Sequence, residues 1–442
     1  MIGTYDHITV KGTIPFSIKK NAILNIVTND VTSYTHGFHK YPSKFIPHVP
    51  RWAISKYLNG RKEGLIFDPF CGSGTTLVEG ILSGNNVVGI DIDPLSTLIS
   101  KVKTTPIDIV RLNEVCDWIS DKLRAGKQDS FRTECPNINH WFTSDAIAKL
   151  SLIRSVIDQI IEHFGQNDQS KDIQDLLYVC FSSILRRVSN ADNESQKTYV
   201  SHTKIKLPEE TMSLFLSQLN YFKVRINEFS ACVNSKLRRE IICTSSTNDL
   251  NSKLGEKNID IVITSPPYIK AIDYIYNQMV ELFWIGDLFD MQTQTKQNNK
   301  KKHYTGTKHL SKKDYSEYNP IIASFGINKL DAKLNTIFTH DKKNGRKHAF
   351  ITAKYFNDME EHFKELANSL NPGVHYVMVV GASSVSNVLF ETDEFLSDIA
   401  ERNDFTLMDK WGYQIKNRYM RFDRKGKGGI IDVDWILDFV KT

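Results

Sequence analysis

The chain of 442 residues is short of the features that mark membrane-bound, secreted and metal-binding proteins. No apolar run approaches the ~20 residues that cross a bilayer, and the N-terminus has neither the basic nor the apolar region of a signal peptide. The six cysteines form no C-x-x-C pair, so neither a zinc site nor a disulfide framework is indicated. We therefore expect a cytoplasmic protein that uses no metal and no membrane.

Acidic residues are missing from one stretch of a chain that is otherwise only mildly basic, with a net charge of +5. Residues 292–313 contain no aspartate or glutamate, and their lysines alternate with amides, hydroxyls and one tyrosine. Such composition is typical of a loop that meets phosphates, and Gln and Asn can contact base edges, although a solvated surface loop is the alternative. The candidate phosphate contacts are Lys300, Lys301, Lys302, Lys308, Lys312 and Lys313.

A rigid strand exit is the first candidate site. Residues 261–263 are β-branched and apolar, as a strand buried on both faces requires. We name the following Ser-Pro-Pro-Tyr, residues 265–268, the lip. Its two prolines fix φ and remove two N–H donors, so the chain leaves the sheet in a stiff, extended conformation. A hydroxyl, a rigid carbonyl and an aromatic ring in this order predict a pocket for a planar group that carries an amine. The alternative is that the motif only ends the strand and has no function, which is the commoner case for so short a motif. The candidate catalytic residues are Ser265, Pro266, Pro267 and Tyr268.

A glycine-rich turn follows another predicted strand, at residues 65–67. The turn has the sequence Asp-Pro-Phe-Cys-Gly-Ser-Gly-Thr-Thr over residues 68–76. Gly72 and Gly74 allow a tight bend and the close approach of a ligand to bare backbone. The helix that comes next offers free N–H groups to an anion. The following strand ends in Asp91, about 20 residues after the turn, where an acid binds ribose hydroxyls.

Together the two motifs resemble those of the amino-group DNA methyltransferases that use S-adenosylmethionine. The matching residues are 68–76 and 264–268, and the resemblance covers the sheet-forming parts of the chain. Serine at the first position of Ser-Pro-Pro-Tyr, here Ser265, is typical of cytosine-N4 enzymes, whereas adenine-N6 enzymes usually carry Asp or Asn. The resemblance implies an α/β fold, namely a Rossmann-like methyltransferase sheet with a mostly helical inserted subdomain and a basic target-recognition region.

The resemblance also implies S-adenosyl-L-methionine as the cofactor. In the family, an acidic residue contacts the adenine amino group; the matching position here is Ser246, with Asp249 three residues on, which is a departure. Asp273 and Tyr274, beyond the lip, become candidates for the base pocket. The implied cofactor-binding residues are Tyr41, Lys44, Phe45, Asp68, Pro69, Phe70, Gly72, Gly74, Thr75, Asp91 and Ile92.

The order of the motifs predicts five parts of the chain. Apolar residues at helical spacing predict a helical insertion at 105–240, with its own core. We name residues 286–350 the basic segment; it competes with the insertion as the target-recognition element, and we favour the basic segment. The five parts are 1–104 (cofactor-binding half of the core), 105–240 (helical insertion), 241–285 (catalytic half), 286–350 (basic segment) and 351–442 (C-terminal part of the core sheet).

The two ends of the chain carry weaker patterns. Residues 1–35 predict a short strand or two. Residues 406–408 and 418–422 predict a terminal hairpin, with a closing strand at 435–440.

The function implied by the resemblance is site-specific methylation of the exocyclic N4 of cytosine in double-stranded DNA. The Ser265 hydroxyl and the Pro266 carbonyl would accept the hydrogens of the amine and localise its lone pair, with no covalent enzyme intermediate. The target base would be flipped out, with Tyr268 stacked on it. A prokaryotic, nucleoid-associated modification enzyme with a restriction endonuclease as functional partner is implied. The alternatives are adenine-N6 transfer, RNA methylation and a non-catalytic nucleic-acid-binding relative.

Overall fold

The computed structural model has a nine-stranded sheet with helices on both faces and a separate two-stranded ribbon. It describes residues 5–42, 44–126, 131–193, 195, 197–203, 205–247, 249–255, 258–269, 273–415 and 432–442. The strands are β1 (His7–Lys11), β2 (Ile23–Val27), β3 (Leu65–Asp68), β4 (Asn86–Asp91), β5 (Arg239–Cys243), β6 (Ile261–Thr264), β7 (His375–Gly381), β8 (Ser383–Val385), β9 (Val388–Phe390), β10 (Phe405–Gln414) and β11 (Val433–Lys441).

The strand order of the large sheet is β1-β2-β10-β11-β7-β6-β3-β4-β5. Strand β11 runs antiparallel to its two neighbours, and all other neighbouring pairs in this sheet are parallel. The order of the strands reverses between β3 and β6, because β4 and β5 extend one side of β3 and β7 extends the other. Open α/β sheets bind ligands at the carboxyl ends of their strands, at such a reversal.

Helices cover both faces of this sheet. They are α1 (His48–Leu58), α2 (Thr75–Leu82), α3 (Pro94–Thr104), α4 (Ile109–Ala125), α5 (Ile138–Trp141), α6 (Ser144–Asp158), α7 (Ile160–Phe164), α8 (Asp168–Val188), α9 (Thr211–Cys232), α10 (Leu250–Leu254), α11 (Tyr274–Asn277), α12 (Met279–Ile285), α13 (Gln294–Lys301), α14 (Lys312–Tyr315), α15 (Asn328–His340), α16 (Gly345–Ser369) and α17 (Thr392–Glu401).

The core consists of two hydrophobic layers, one on each face of the sheet. Successive side chains of a strand point to opposite faces, so Ile261 and Ile263 pack into one layer and Val262 into the other. The first layer contains helices α1 to α3 together with most of the insertion, and the second contains α15 to α17. The result is a three-layer α/β/α arrangement, the Rossmann-like fold that the resemblance implied.

The insertion is helical, as its periodicity predicts, but it has no separate core. Helices α4 to α9 lie within residues 105–240, and their apolar side chains join the same layer as Ile66 and Val87 of the sheet. The prediction of an independent core was therefore wrong, because the stripes of these helices extend the core of the sheet. The division of the chain into five parts stays a prediction.

Two local expectations are also revised. Residues 406–408 do lie in a hairpin, but β10 pairs with β11 at Val433–Lys441; residues 418–422 lie outside the described residues. The stretch 292–313 is not wholly a loop, because Thr293 caps α13, its hydroxyl accepting a hydrogen bond from the N–H of Lys296 at 3.3 Å.

Within the described ranges, no helix has both the length and the apolar character needed to cross a membrane. In the same part of the chain, no three His, Cys, Asp or Glu side chains are grouped so that they could hold a metal ion.

Candidate active site

The predicted motifs meet in one cavity at the carboxyl ends of the central strands. Nine of the eleven predicted cofactor-binding residues line it: Tyr41, Lys44, Phe45, Pro69, Phe70, Gly72, Thr75, Asp91 and Ile92. Ser265 and Pro267 of the lip and Tyr274 beyond it line the same cavity. The two motifs, about 190 residues apart in the chain, are neighbours because β3 pairs directly with β6.

Asp68 lies behind the cavity rather than in its lining. It is fully buried, and its Oδ1 accepts hydrogen bonds from the Thr264 hydroxyl at 2.5 Å and the Phe70 N–H at 3.1 Å. Burial raises the pKa of Asp68 to about 6. Its position indicates that Asp68 clamps the glycine turn to the end of β6.

The glycine turn has the bend that its sequence predicts. Gly72 and Gly74 have φ of +47° and +79°, which strains any other residue. A Cβ at Gly72 would come within 3.2 Å of the Tyr41 ring, and one at Gly74 within 3.1 Å of the Ser100 Cα. Gly72 therefore keeps the cavity open, whereas Gly74, which is outside the lining, lets α2 pack against α3.

Asp91 closes the turn from the neighbouring strand. Its Oδ2 accepts the N–H of Gly72 and its Oδ1 the N–H of Asp93, both at 2.8 Å. Burial, and then the charge of Asp93, raises the pKa of Asp91 to about 7. A carboxylate that is both oriented by backbone and ready to accept further hydrogen bonds suits the hydroxyls of a ribose.

The Ser265 side chain has one defined hydrogen bond. Its hydroxyl donates to the carbonyl of Val379 on β7 at 3.0 Å. A hydroxyl has one donor and two acceptor lone pairs, so this bond consumes the donor and leaves the oxygen as an acceptor. The lip thus presents an acceptor oxygen towards the cavity.

Tyr268 is anchored at the far end of the lip by a buried carboxylate. Its hydroxyl donates to Asp434 Oδ1 at 2.6 Å, and the Tyr413 hydroxyl donates to Oδ2 at 3.0 Å. A Cβ at Gly381 would lie 2.9 Å from the Tyr268 ring. The ring therefore occupies one position against the backbone of β7, and neither Asp434 nor Tyr413 was indicated by the sequence.

The two base-pocket candidates are placed differently. Tyr274 lines the main cavity, stacked on Tyr41 with centroids 5.8 Å apart. Asp273 lines a neighbouring pocket, where it contacts His309 and lies 3.8 Å from Nζ of Lys301. Asp273 is thus engaged by the basic segment.

The predicted phosphate-contacting lysines differ in exposure. Lys302, Lys312 and Lys313 are exposed, and Lys300 and Lys308 are half-buried. Lys301 is the exception, because its side chain is only 11% exposed and faces Asp273.

Eight lining residues were not among the predicted site residues. One group follows β5, another parallel strand that ends at this edge of the sheet, so its position in the chain could have indicated a site. Ser246 was considered there, whereas Asp249 lies outside the lining. The other group belongs to the basic segment, where composition suggested only nucleic acid. The remaining lining residues are Cys71 and Ser73 in the turn, Thr244, Ser245 and Ser246 after β5, and His303, Tyr304 and Thr305 in the basic segment.

The cavity fits an adenosyl group with a charged tail. The hydroxyls of Ser73 and Ser246 are buried in its wall and have no hydrogen-bond partner among the described residues. Buried polar groups normally have partners, so these two atoms point to a polar ligand. Asp91 would hold the ribose, and Phe70 and Ile92 supply apolar wall for the adenine.

The sheet order and the glycine turn are those of a Rossmann-like methyltransferase fold. A family model described as DNA methylase, of the N6/N4 type, matches residues 17–101. This match makes the chain similar to the N6/N4 amino-group DNA methyltransferases.

Three similar proteins are named type II methyltransferases. The type II methyltransferase M.MvaI of Kocuria varians is 26% identical over 90% of this chain and 88% of its own length. M.MjaII of Methanocaldococcus jannaschii is 28% identical over 72% and 74%, and M.BsoBI of Geobacillus stearothermophilus is 24% identical over 83% and 77%. Among solved structures, the rRNA methyltransferase AviRa of Streptomyces viridochromogenes aligns over 91% of this chain and 88% of that chain, with 9% identity and a TM-score of 0.30, too low to support an inference.

Proposed function

We propose that this protein is a DNA methyltransferase that transfers a methyl group from S-adenosylmethionine to the exocyclic N4 of cytosine. The observation that carries the proposal is the orientation of Ser265. Since its hydroxyl donates to Val379, its lone pairs are available to an N–H of the target. An exocyclic amine presents such an N–H.

The chemistry requires that the lone pair of the amine be localised, because conjugation with the ring makes it a poor nucleophile. Ser265 and the carbonyl of Pro266 would each accept one N–H, drawing the nitrogen towards tetrahedral geometry. The same oxygens stabilise the positive charge that develops on nitrogen as the new bond forms. S-adenosylmethionine, when bound, would supply the methyl group: the N–C bond would form as the S–C bond breaks, S-adenosylhomocysteine would leave, and the nitrogen would lose one proton to water. The stiff lip holds the acceptors in position before the reaction, which is the main source of such rate enhancement.

The target base would have to leave the duplex to reach this lip, because the amine of a paired base is inside the stack. Tyr268 supports this step. Its ring is fixed by Asp434 and Gly381, three residues along the lip from Ser265, although Tyr268 itself does not line the cavity. A flipped base would stack on it.

We predict that Gly381→Ala lowers kcat by about 10–100-fold, since displacement of a positioning group by roughly 1 Å has an effect of this size. The new Cβ would collide with the Tyr268 ring at 2.9 Å. Initial rates at saturating cofactor and DNA measure the effect. Ser384→Ala, at an exposed position three residues on, is the control and should match the wild type. An unchanged kcat for Gly381→Ala would show that the ring position does not matter.

Double-stranded DNA is the proposed substrate because the relatives are type II methyltransferases. The exposed Lys302, Lys312 and Lys313 of the basic segment supply the positive charge that phosphates need. A restriction endonuclease that cuts the same site is the proposed functional partner. The basic segment remains our proposed target-recognition element.

The test of the proposed function is product analysis. Plasmid DNA and DNA of the source genome are each incubated with the protein and S-adenosylmethionine. The nucleosides of each sample are then identified by mass spectrometry. We expect N4-methylcytosine. Detection of N6-methyladenine would keep the mechanism but overturn the base assignment. If neither methylated nucleoside is detected, the proposal of DNA methylation is overturned.

A further inference from the structure

Part of the basic segment closes one side of the cofactor cavity. His303, Tyr304 and Thr305 line that cavity, although neither motif places them there. Tyr304 is only 9% exposed, and its buried hydroxyl has no hydrogen-bond partner within 3.5 Å among the described residues, although it faces the carboxylate of Asp93. We name residues 301–309 the strap. The hydroxyl of Tyr304, a residue of the strap, is therefore available to a ligand in the cavity.

Ring stacking holds the strap against the rest of the site. The rings of Tyr304 and Tyr274 have centroids 6.4 Å apart and an interplanar angle of 23°. Tyr274 in turn stacks on Tyr41, at 5.8 Å and 24°, and the Ser96 hydroxyl donates to the Tyr41 hydroxyl at 2.9 Å. Three tyrosines from distant parts of the chain thus stack along one cavity.

A carboxylate outside the cavity fastens the strap at both ends. Asp273 contacts His309 Nε2, and its Oδ1 lies 3.8 Å from Lys301 Nζ. Asp273 is itself fixed, because its Oδ1 accepts the N–H of Tyr276 at 3.0 Å at the start of α11. The Thr307 hydroxyl donates to the carbonyl of Lys301 at 2.7 Å and closes the turn between these two contacts.

The charges near Tyr304 indicate what the cavity would place there. Burial, and then the carboxylates of Asp93 and Asp91, raises the pKa of Tyr304 well above its ordinary value. The phenol is therefore a donor at neutral pH. Asp91 can accept a further hydrogen bond, and the Tyr304 hydroxyl, which faces Asp93 without a hydrogen bond shorter than 3.5 Å, can donate to a ligand; the vicinal hydroxyls of a ribose suit both.

We propose that the strap is a cofactor-binding element and that Tyr304 directly contacts the adenosine part of the cofactor. The inference deepens the proposed function and rests on it for the identity of the cofactor. Asp273 acts as a positioning residue, since it reaches the cofactor only through the strap.

The test is isothermal titration of the full chain with S-adenosylhomocysteine, which has the adenosine but no methyl group to transfer. We expect Tyr304→Ala to weaken binding about tenfold or more, through loss of the ring and its hydrogen bond. Tyr304→Phe, which keeps the ring, should weaken it about threefold. Asp273→Asn should weaken it about fivefold, although this residue lies outside the cavity.

Tyr315→Ala is the matched control, because Tyr315 belongs to the basic segment but not to the cavity lining; its affinity should equal that of the wild type. Thermal unfolding of each variant identifies any loss of folding. Wild-type affinity in both Tyr304 variants would overturn the strap proposal and leave the proposed function intact. Weakened binding without any methylated DNA product would support the strap and overturn DNA as the substrate. Absence of binding by the wild type would overturn both.

Discussion

Ser265→Ala is expected to lower kcat by about 10²–10³-fold, the usual effect of removing one preorganised group that stabilises charge in a transition state. The hydroxyl that donates to Val379 is the proposed acceptor for the target amine. Since this interaction strengthens as charge develops on nitrogen, its loss should appear in kcat with little change in KM. Single-turnover rates of methyl transfer to DNA measure it directly.

Two variants make the Ser265 prediction specific. Ser245→Ala removes another hydroxyl from the same cavity and should leave kcat within about twofold of the wild type. Ser265→Asn restores an acceptor oxygen and should recover part of the rate. Equal losses in Ser245→Ala and Ser265→Ala would contradict a special role for the lip, and full activity in Ser265→Ala would exclude the hydroxyl from the mechanism.

Asp91→Asn is expected to weaken cofactor binding by about 10–100-fold, since hydrogen bonds to a charged group contribute about 1.5–3 kcal/mol. The N–H groups of Gly72 and Asp93 occupy both carboxylate oxygens. The new amide must therefore direct its own N–H groups at one of these donors, and the turn loses a contact as well. Titration with S-adenosylhomocysteine measures the affinity.

The pH dependence of cofactor binding provides a second test of the proposed role of Asp91. Because the pKa of Asp91 is raised to about 7, the carboxylate of the free protein becomes protonated as the pH falls below that value. The protonated form lacks the charge that the ribose hydroxyls need, so affinity should fall about tenfold from pH 8 to pH 6. Asp91→Asn should remove this dependence.

The control for Asp91 is Asp249→Asn, the same change at an exposed carboxylate beyond the next strand and outside the cavity lining. It should bind the cofactor as the wild type does, with the same pH profile. A pH profile that survives in Asp91→Asn would assign the titration to another group, Asp93 being the nearest candidate.

Much of the fold and part of the site followed from local sequence. The apolar run of residues 261–263 predicts a buried strand, and the two prolines predict its rigid exit. The positive φ at Gly72 and Gly74 follows from the residue type, because only glycine adopts it without strain. Asp91 was found by its distance from the turn. In each case the physical cause acts within a few residues of the chain, so the sequence is sufficient.

Contacts between distant residues were not predictable in this way. No local pattern brings Asp434 to Tyr268 or the Val379 carbonyl to Ser265, since these contacts depend on β11 and β7 taking adjacent places in the sheet. The composition of residues 292–313 favoured a loop that meets phosphates, whereas the structure places Tyr304 in the lining of the cavity at the carboxyl ends of the strands.

The sequence by itself determined where the chain forms the glycine turn, the acidic strand end and the rigid lip, because each depends on residue type and spacing over a few residues. Only the tertiary structure decided which oxygen of the lip is oriented as an acceptor and which part of the basic segment covers the cavity. Hydrogen-bond direction and burial depend on the partners that strand order and helix packing bring together. Tyr268 and Asp434, for example, are 166 residues apart in the chain.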